Sequence, residues 1–231
     1  MDVKFNGKWL PEKQSYKDAC LRLSKDLRSF KQDQDYIPFI GNDTRGKDVV
    51  KEFDEVVNLP YVSKNDRIGK PVLYRDKSAG TLRFMKVYQD IKELCDFKNV
   101  VEVGAGYGGQ CLVVSELHDV NYTIIDIPES LALSKAYLAA NGVECKFISS
   151  ENVPKLKTDL LISDYCLSEF DADGVEFYLN KIDFKFGYFT INGNLELIIE
   201  SLRKRNYKLK VRNEIPRTSH HSNYILTAEK L

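Results

Sequence analysis

Residues 99–109 read Asn-Val-Val-Glu-Val-Gly-Ala-Gly-Tyr-Gly-Gly, and residues 122–128 read Tyr-Thr-Ile-Ile-Asp-Ile-Pro. The first stretch predicts a buried strand that ends in a glycine-rich turn, and the second predicts another strand that ends in a carboxylate. A turn that brings backbone amides against a ligand has no room for side chains, which is why it needs glycine. Together the two stretches predict a pocket for a cofactor that carries a ribose.

Downstream of residue 99, short apolar runs alternate with amphipathic segments, which indicates an α/β fold with a parallel sheet and crossover helices. Strands are predicted at residues 100–103, 122–127, 145–149, 159–165 and 186–191, and helices at 109–118, 129–141, 171–182 and 194–205. The last two apolar runs, residues 207–211 and 223–228, leave no room for a helix between them. We therefore expect them to pair antiparallel, which gives a seven-stranded, mostly parallel Rossmann-like sheet whose last strand is antiparallel.

The first part of the chain has a different character. Helical spacing is confined there to residues 16–30 and 80–97, with scattered turn residues between them. We therefore expect residues 1–97 to form a helical extension or cap, packed on a cofactor-binding domain that comprises residues 98–231.

The composition is that of an ordinary globular protein. The chain has 231 residues, of which 43% are hydrophobic and 29% charged, and Lys plus Arg equal Asp plus Glu at 34 each. A chain with no positive excess is a poor candidate for nonspecific binding to nucleic acid, which depends on neutralising phosphates. No apolar run approaches the roughly 18 residues that a membrane span needs. Five cysteines without CxxC spacing predict a reducing, cytoplasmic compartment.

The glycines by themselves leave two cofactors open. Gly104, Gly106 and Gly109 match the dinucleotide pattern GxGxxG, whereas Glu102 followed by Gly104, Gly106 and Gly108 gives acid-x-Gly-x-Gly-x-Gly. An acid at position 102 would repel a pyrophosphate, but it suits the positively charged methionine end of S-adenosylmethionine (SAM). The predicted antiparallel strand pair is also typical of SAM-dependent methyltransferases rather than of nicotinamide dehydrogenases.

Asp126 ends the second predicted strand, 22 positions after Gly104 (126 − 104). A carboxylate at that place can accept hydrogen bonds from both hydroxyl groups of a ribose, and both candidate cofactors contain one. Ser149, Ser150 and Glu151 lie at the end of the third strand, where an adenine would lie. The alternatives are that Asp126 only caps the next helix and that the two serines only form a turn.

Three segments of the chain carry a family resemblance. They are Val101-Glu-Val-Gly-Ala-Gly-Tyr-Gly-Gly109, Ile125-Asp-Ile-Pro128 and Leu161-Ile-Ser-Asp-Tyr-Cys-Leu-Ser-Glu169. Together they resemble the sugar O-methyltransferases, which are SAM-dependent enzymes associated with bacterial and viral glycan pathways. The likeness covers roughly residues 80–228, and the family often has Asn where this chain has Asp164. Because some members also carry a glycosyltransferase domain, the resemblance allows for a fused or associated glycosyltransferase.

The resemblance implies which residues contact the cofactor. In and beside the glycine-rich turn they are Glu102, Gly104, Ala105, Gly106, Tyr107 and Gly108. Beyond the turn they are Asp126, Ile127, Ser150, Asp164 and Tyr165. No spacing of ligand residues demands a metal, although a divalent metal held by carboxylates is a less favoured alternative for activating sugar hydroxyls.

Methyl transfer to a hydroxyl requires a base. The displacement is in line at the sulfonium methyl, so the enzyme must align oxygen, carbon and sulfur and must accept the hydroxyl proton. Histidine is the side chain best suited to this near neutral pH. We expect His221 or His220, in a polar loop between the last two strands, to be the base. Asp164 and Glu169 are rival bases, or partners that orient a histidine.

Arg83, Tyr88 and Ser168 are candidates for binding the acceptor, since aromatic faces suit the C–H faces of a sugar. Taken together, the sequence favours SAM-dependent methylation of a sugar hydroxyl, in a glycan or an activated sugar precursor. The alternatives are an O-methyltransferase for a non-sugar small molecule, an NAD-dependent oxidoreductase, and a SAM-fold module that binds a partner without catalysis.

Overall fold

The computed structural model describes residues 14–28, 57, 59, 61, 63–68, 73–74, 76–215 and 223–231. The helices are α1 (Gln14–Lys25), α2 (Ala79–Leu94), α3 (Gly109–Leu117), α4 (Pro128–Ala140), α5 (Ala172–Lys181) and α6 (Leu195–Arg203). The strands are β1 (Leu73–Tyr74), β2 (Lys77–Ser78), β3 (Asn99–Val103), β4 (Asn121–Asp126), β5 (Lys146–Ser149), β6 (Leu156–Asp164), β7 (Ile182–Ile191), β8 (Tyr207–Asn213) and β9 (Tyr224–Lys230). Short 3-10 turns occupy Lys64–Arg67, Ser150–Asn152 and Leu167–Glu169.

Strands β3 to β9 form one seven-stranded sheet with the order β5-β4-β3-β6-β7-β9-β8. Strands β5, β4, β3, β6 and β7 are parallel, and β9 lies antiparallel between β7 and β8. This confirms the predicted mostly parallel sheet in which the last strand of the chain is antiparallel. Strand β4, which follows β3 in the chain, lies on one side of β3 in the sheet, and β6 lies on its other side. The strand order therefore reverses between β3 and β6. Ligands bind beyond the carboxyl ends of the strands at such a reversal.

Helices cover both faces of the sheet. Alternate residues of β3 point to opposite faces, so that Val100 joins the apolar core beneath α1 to α4 and Val101 joins the core beneath α5 and α6. Strands buried on both sides read as continuous apolar runs, which explains why the central strands could be predicted from sequence.

The described part of the N-terminal region shares its core with the sheet. Tyr16 and Leu23 of α1 are buried in the same cluster as Leu112 of α3, and α1 packs against α4. Glu116 of α3 accepts a hydrogen bond from the Ser63 hydroxyl (2.9 Å). In the part of the chain that the structure describes, every helix is too short or too polar to cross a bilayer.

The predicted element boundaries differ from the observed ones mainly at the amino ends of two strands. Strand β6 begins at Leu156 rather than at 159, and β7 begins at Ile182 rather than at 186. The two strands pair from Leu156 opposite Ile182 onward, and α5 leads into β7 without a loop. The residues added to β7 alternate between buried Ile182 and Phe184 and exposed Asp183 and Lys185, which is the pattern of a strand with one covered face.

Candidate active site

The glycine-rich turn between β3 and α3 depends on left-handed backbone conformations. Gly104, Gly106 and Gly108 have φ angles of 82°, 57° and 91°, a region that side chains disfavour. A Cβ atom on Gly104 would also lie 2.2 Å from the Cβ atom of Cys166, just beyond the tip of β6. The turn therefore needs glycine for its conformation and for its close approach to β6.

The first turn of α3 directly follows the glycine-rich turn and has no side-chain cap. Its N-cap is Gly108, which contributes no capping hydrogen bond. The amides at a helix N-terminus lack partners within the helix and attract acceptor groups of a ligand. A glycine-rich turn beside such amides is the backbone arrangement that a nucleoside cofactor can approach closely.

Asp126, at the end of β4, is held in one orientation beside this turn. Its Oδ2 accepts hydrogen bonds from the Gly106 amide (2.9 Å) and the Ser130 hydroxyl (3.1 Å), and its Oδ1 accepts from the Ile127 amide (2.8 Å). Burial raises the pKa of Asp126 to about 6, although these hydrogen bonds counteract the rise. The N-cap of α4 is Ile127, without a side-chain cap, so the structure does not support Asp126 as a helix cap.

Ser130 was not identified from the sequence as part of the site. It lies four residues after Asp126, and its hydroxyl also lies 3.2 Å from the Gly106 carbonyl oxygen. The Tyr16 hydroxyl of α1 is 3.3 Å from the same serine oxygen. A polar residue in the first turn of the helix after an acidic strand end is the signal that could have identified it.

Glu102 lies beneath the turn rather than at its opening. It is 2% exposed, and its Oε2 accepts a hydrogen bond from the Tyr122 hydroxyl (2.9 Å). Burial, followed by the charge of Asp164, raises the pKa of Glu102 well above its usual range. Contact between this acid and the cofactor stays a prediction.

Tyr107 also points its side chain into the protein. It is 3% exposed, and its hydroxyl donates to Oδ1 of Asn65 (3.1 Å), to which the Tyr137 hydroxyl also donates (2.6 Å). The predicted cofactor contact of Tyr107 can therefore involve only its backbone. The other predicted contacts, Ala105, Ile127 and Ser150, are half-buried residues in the turn and at the tips of β4 and β5.

Across the turn, at the tip of β6, Asp164 has one paired and one unpaired oxygen. Its Oδ1 accepts a hydrogen bond from the Thr190 hydroxyl (2.8 Å). Among the described residues, its buried Oδ2 has no hydrogen-bond partner, and the same is true of the buried Nε of Arg83. Burial raises the pKa of Asp164, although the positive charge of Arg83 acts in the opposite direction.

Tyr165 follows Asp164 in a strained conformation. Its φ of 65° is rare for a bulky residue, and such strain concentrates at functional sites. Its amide donates to the Thr190 carbonyl oxygen (2.8 Å) and its hydroxyl donates to Glu214. Glu214 is 5% exposed and accepts a second hydrogen bond from the Asn223 side chain (2.7 Å). Sequence reasoning missed Thr190 and Glu214, because neither belongs to a motif.

Ser168 and Glu169 form the short turn that follows. The Ser168 hydroxyl lies 2.7 Å from the Tyr165 carbonyl oxygen and 2.7 Å from Oδ1 of Asn192, so it stabilises the end of β7 against that of β6. Glu169 is 8% exposed. Burial raises its pKa to about 8, although a hydrogen bond to Asn192 counteracts the rise. The roles predicted for both residues remain predictions.

The remaining predicted site residues lie elsewhere or outside the described chain. Tyr88 is 3% exposed, and its hydroxyl donates to the Leu117 carbonyl oxygen (3.2 Å). Because α3 starts at the glycine turn and ends at Leu117, the Tyr88 hydroxyl lies at the opposite edge of the sheet, and we do not include it in the site. His220 and His221 fall outside the described residues.

Within the described ranges, no three or more His, Cys, Asp or Glu side chains are arranged to hold a metal ion.

No protein-family model and no curated protein matches the chain. Solved structures do match it. A methyltransferase from Pyrococcus furiosus has a TM-score of 0.53 at 13% identity, covering 80% of this chain and 97% of that one. The methyltransferase domain of bacterial CtHen1-C has a TM-score of 0.52 at 13% identity, covering 65% and 98%. The tRNA methyltransferase TrmK of B. subtilis has a TM-score of 0.51 at 16% identity, covering 62% and 65%. At these identities the likeness shows the fold, which this chain shares with methyltransferases.

Proposed function

We propose that the chain is a SAM-dependent O-methyltransferase that acts on a hydroxyl group of a sugar, in a glycan or an activated sugar precursor. The observation that supports this most is the Asp126 carboxylate, which the Gly106 amide and the Ser130 hydroxyl align beside the glycine turn. It occurs in a fold that methyltransferases share. The sugar as acceptor rests on the resemblance of the three sequence segments quoted above.

When bound, SAM supplies a methyl group activated by a positively charged sulfonium. In the proposed site, Asp126 accepts hydrogen bonds from the ribose hydroxyls, and the backbone amides of the turn face the cofactor. Ser150, at the tip of β5, lies on the side proposed for the adenine. The tips of β3 and β6 are then left for the methionine end and for the acceptor.

The acceptor hydroxyl loses its proton as the new C–O bond forms, so the site needs a base. We propose His221 or His220. They belong to the segment between Glu214 and Asn223, whose backbones are joined by a hydrogen bond (3.0 Å) at the carboxyl edge of the sheet. Glu169 is a weaker candidate, because a carboxyl group with a pKa of about 8 is mostly protonated at neutral pH. Asp164 remains the other rival.

One experiment tests both whether the acceptor is a sugar and whether that sugar is in a free glycan or a nucleotide sugar. The purified chain is incubated with SAM and with free glycans, nucleotide sugars and phenols, and S-adenosylhomocysteine release and acceptor mass are measured. We expect a methylated sugar. Methylation of a phenol alone would favour the non-sugar alternative, and no turnover despite cofactor binding would favour a binding module. A glycosyltransferase, fused or associated, is the partner that we propose to supply the sugar-containing acceptor.

The base is tested by replacing His220 and His221 with Ala. General-base catalysis contributes about 10²- to 10⁴-fold, so turnover should fall by about that factor while affinity for S-adenosylhomocysteine stays unchanged. His118→Gln is the matched control, because this third histidine ends α3 and stacks on Phe97 (4.7 Å between ring centroids). Full activity of the double variant would transfer the role to Asp164 or Glu169.

A further inference from the structure

A hydroxyl group of the N-terminal region is connected to the carboxylate at the tip of β4. Tyr16 of α1 is 7% exposed, and its hydroxyl lies 3.3 Å from Oγ of Ser130, which is fully buried in the first turn of α4. Oγ of Ser130 lies in turn 3.1 Å from Oδ2 of Asp126 and 3.2 Å from the Gly106 carbonyl oxygen. A chain of hydrogen-bonding groups therefore runs from α1 through Ser130 to Asp126.

The number of protons fixes the direction of these hydrogen bonds. A serine hydroxyl has one proton to donate and two lone pairs with which to accept. Ser130 faces two acceptors, the Asp126 carboxylate and the Gly106 carbonyl oxygen. Its proton is therefore donated to that side, and its oxygen accepts the proton of Tyr16. Because hydrogen bonds in a chain polarise one another, the Tyr16 hydroxyl makes Ser130 a better donor to the ionised carboxylate.

Helix α1 is held against α4, and this keeps the Tyr16 hydroxyl beside Ser130. The two helices pack along each other, and Leu23 of α1 is fully buried in the core that α1 shares with the sheet. One residue after Tyr16, Nζ of Lys17 lies 3.8 Å from Oε1 of Glu129. Two adjacent residues of α1 thus contact two adjacent residues in the first turn of α4.

We propose that Tyr16 is a positioning residue for cofactor binding, which acts through Ser130 to keep the Asp126 carboxylate ionised and oriented toward the ribose. The assignment rests on the proposed function, since it presupposes a cofactor with a ribose. The other two donors to Asp126 are the backbone amides of Gly106 and Ile127. Among the described residues, Ser130 is therefore the donor to Asp126 that depends on a side chain, and α1 acts on that donor.

Other titratable groups also lie close to Asp126 and affect its protonation. They are Glu102 in β3, Glu129 in α4, with Lys17 of α1 beside it, Cys166 beyond β6 and Tyr178 in α5. Replacing Tyr16 with Phe alters none of these groups, because it removes one oxygen atom and keeps the ring. A change in the titration of Asp126 in that variant therefore reports the loss of the hydroxyl.

The experiment measures the pKa of Asp126 and the affinity for S-adenosylhomocysteine in the same variants. Carbon-13 NMR of the side-chain carboxyl carbons gives the pKa in the full chain without ligand, and Asp126→Asn identifies the signal. Ser130→Ala should raise this pKa by about one pH unit and Tyr16→Phe by about half a pH unit, because each weakens hydrogen bonding to the ionised form.

The affinity should follow the ionisation of Asp126. Calorimetry at pH 6 should show S-adenosylhomocysteine binding weakened about fivefold by Ser130→Ala and about twofold by Tyr16→Phe, since the ionised fraction of Asp126 falls by these factors. At pH 8 the losses should be smaller, because Asp126 is then ionised with or without the hydroxyl. In a chain that already carries Ser130→Ala, Tyr16→Phe should have no further effect on the pKa.

Tyr207→Phe and Ser134→Ala are the matched controls. Tyr207 is also 7% exposed, and its hydroxyl donates to a backbone carbonyl oxygen at 2.8 Å. Ser134 lies one turn after Ser130 in α4, is equally buried, and donates to a backbone carbonyl oxygen at 3.2 Å. Each control removes a buried hydroxyl that is bonded elsewhere, so each should leave the pKa of Asp126 and the affinity unchanged.

If Tyr16→Phe lowers stability as Tyr207→Phe does but leaves the pKa of Asp126 and the affinity unchanged, Tyr16 is a structural residue and the proposal is overturned. An effect of Tyr16→Phe that persists in the Ser130→Ala background would mean that Tyr16 acts by another route, which also overturns it. If the unmodified chain binds S-adenosylhomocysteine but the pKa does not move, this inference alone fails. If the pKa moves as expected but the unmodified chain does not bind S-adenosylhomocysteine, the proposed function fails, and the positioning role fails with it.

Discussion

At the scale of single residues, the Asp126 carboxylate is held in one orientation by its neighbours. Three hydrogen-bond donors fix its two oxygens, and two of those donors are backbone amides that no substitution of a side chain removes. Such fixed donors reduce the reorganisation that binding requires. The same position partly buries the carboxyl group, and this burial raises its pKa.

Cofactor affinity should therefore depend on pH. Because the pKa of Asp126 is about 6, and because ribose hydroxyls donate to the ionised form, affinity for S-adenosylhomocysteine should be full above that pH and fall below it, by at most about tenfold per pH unit. Asp126→Asn should bind more weakly at neutral pH and lose this dependence. Calorimetry from pH 5 to pH 8 measures both, and a flat profile for the unmodified chain would contradict the role of Asp126.

Glu169 should control stability rather than binding. Its pKa in the folded chain is about 8 and its usual value is 4.5, so the folded state holds the proton more tightly. Its contribution to stability is therefore fully present below pH 4.5 and is lost as the pH rises to about 8, with a slope of at most about 1.4 kcal/mol per pH unit. Glu169→Gln should remove this part of the slope in urea unfolding measured from pH 5 to pH 8. Parallel curves for the two proteins would contradict the assignment.

The sequence predicted residues that belong to motifs and missed those that do not. Asp126 was predictable because a strand, a glycine turn and an acid at a fixed spacing occur together. Glu214 and Thr190 reach Tyr165 and Asp164 only because β7, β8 and β9 bring them to the same edge. That proximity is tertiary, and a single sequence contains no local signal for it.

At the scale of elements, the glycine turn is the part that tolerates substitution least. Gly104 combines a positive φ with contact to Cys166, whereas Gly142, after α4, has a φ of 72° and open space around its Cα. Comparing substitutions at the two glycines therefore separates the cost of a left-handed backbone conformation from the cost of steric overlap with Cys166.

Gly104→Ala should destabilise the chain more than Gly142→Ala. Left-handed backbone costs a residue with a side chain about 1–2 kcal/mol, and overpacking adds about 1–3 kcal/mol at position 104 only. Urea unfolding measures the difference, and Gly104→Ala should also weaken binding of S-adenosylhomocysteine. Equal losses of unfolding free energy would show that β6 moves away at no cost.

Element boundaries were less predictable than the elements. The residues that lengthen β7 at its amino end, 182–185, alternate buried and exposed side chains, and they pair with the backbone of β6. This period-2 alternation is present in the sequence, but the boundary was missed because Ile182 was assigned to the helix predicted at residues 171–182.

At the scale of the whole molecule, the N-terminal region is tied to the turn that would hold the cofactor. Asn65 is 3% exposed. It accepts hydrogen bonds from the hydroxyls of Tyr107 and Tyr137, and it donates to the Thr81 hydroxyl (2.8 Å). Tyr107 belongs to the glycine turn, so the two regions predicted from sequence are joined by a buried polar network.

Asn65→Ala should consequently lower the free energy of unfolding of the whole molecule. The substitution removes the side-chain hydrogen bonds to Tyr107 and Tyr137, although the Tyr137 hydroxyl keeps the backbone carbonyl of residue 65 (3.1 Å). Losing a buried hydrogen bond costs about 1 kcal/mol, so the unfolding free energy should fall by about 1–3 kcal/mol in one cooperative transition. Thermal unfolding followed by circular dichroism, and by fluorescence of the tyrosines, measures this. Two separate transitions, with only the first affected, would contradict a shared core.

The measurement that tests the central claim most directly is calorimetric titration of the purified chain with S-adenosylhomocysteine, with NAD as the parallel control. We predict micromolar binding of S-adenosylhomocysteine and no binding of NAD, because the sheet has the methyltransferase arrangement, with β9 antiparallel between β7 and β8, and the acidic residues Asp126 and Asp164 end the strands on either side of the glycine turn. Binding of NAD alone would contradict the methyltransferase assignment and make the glycine turn a dinucleotide site.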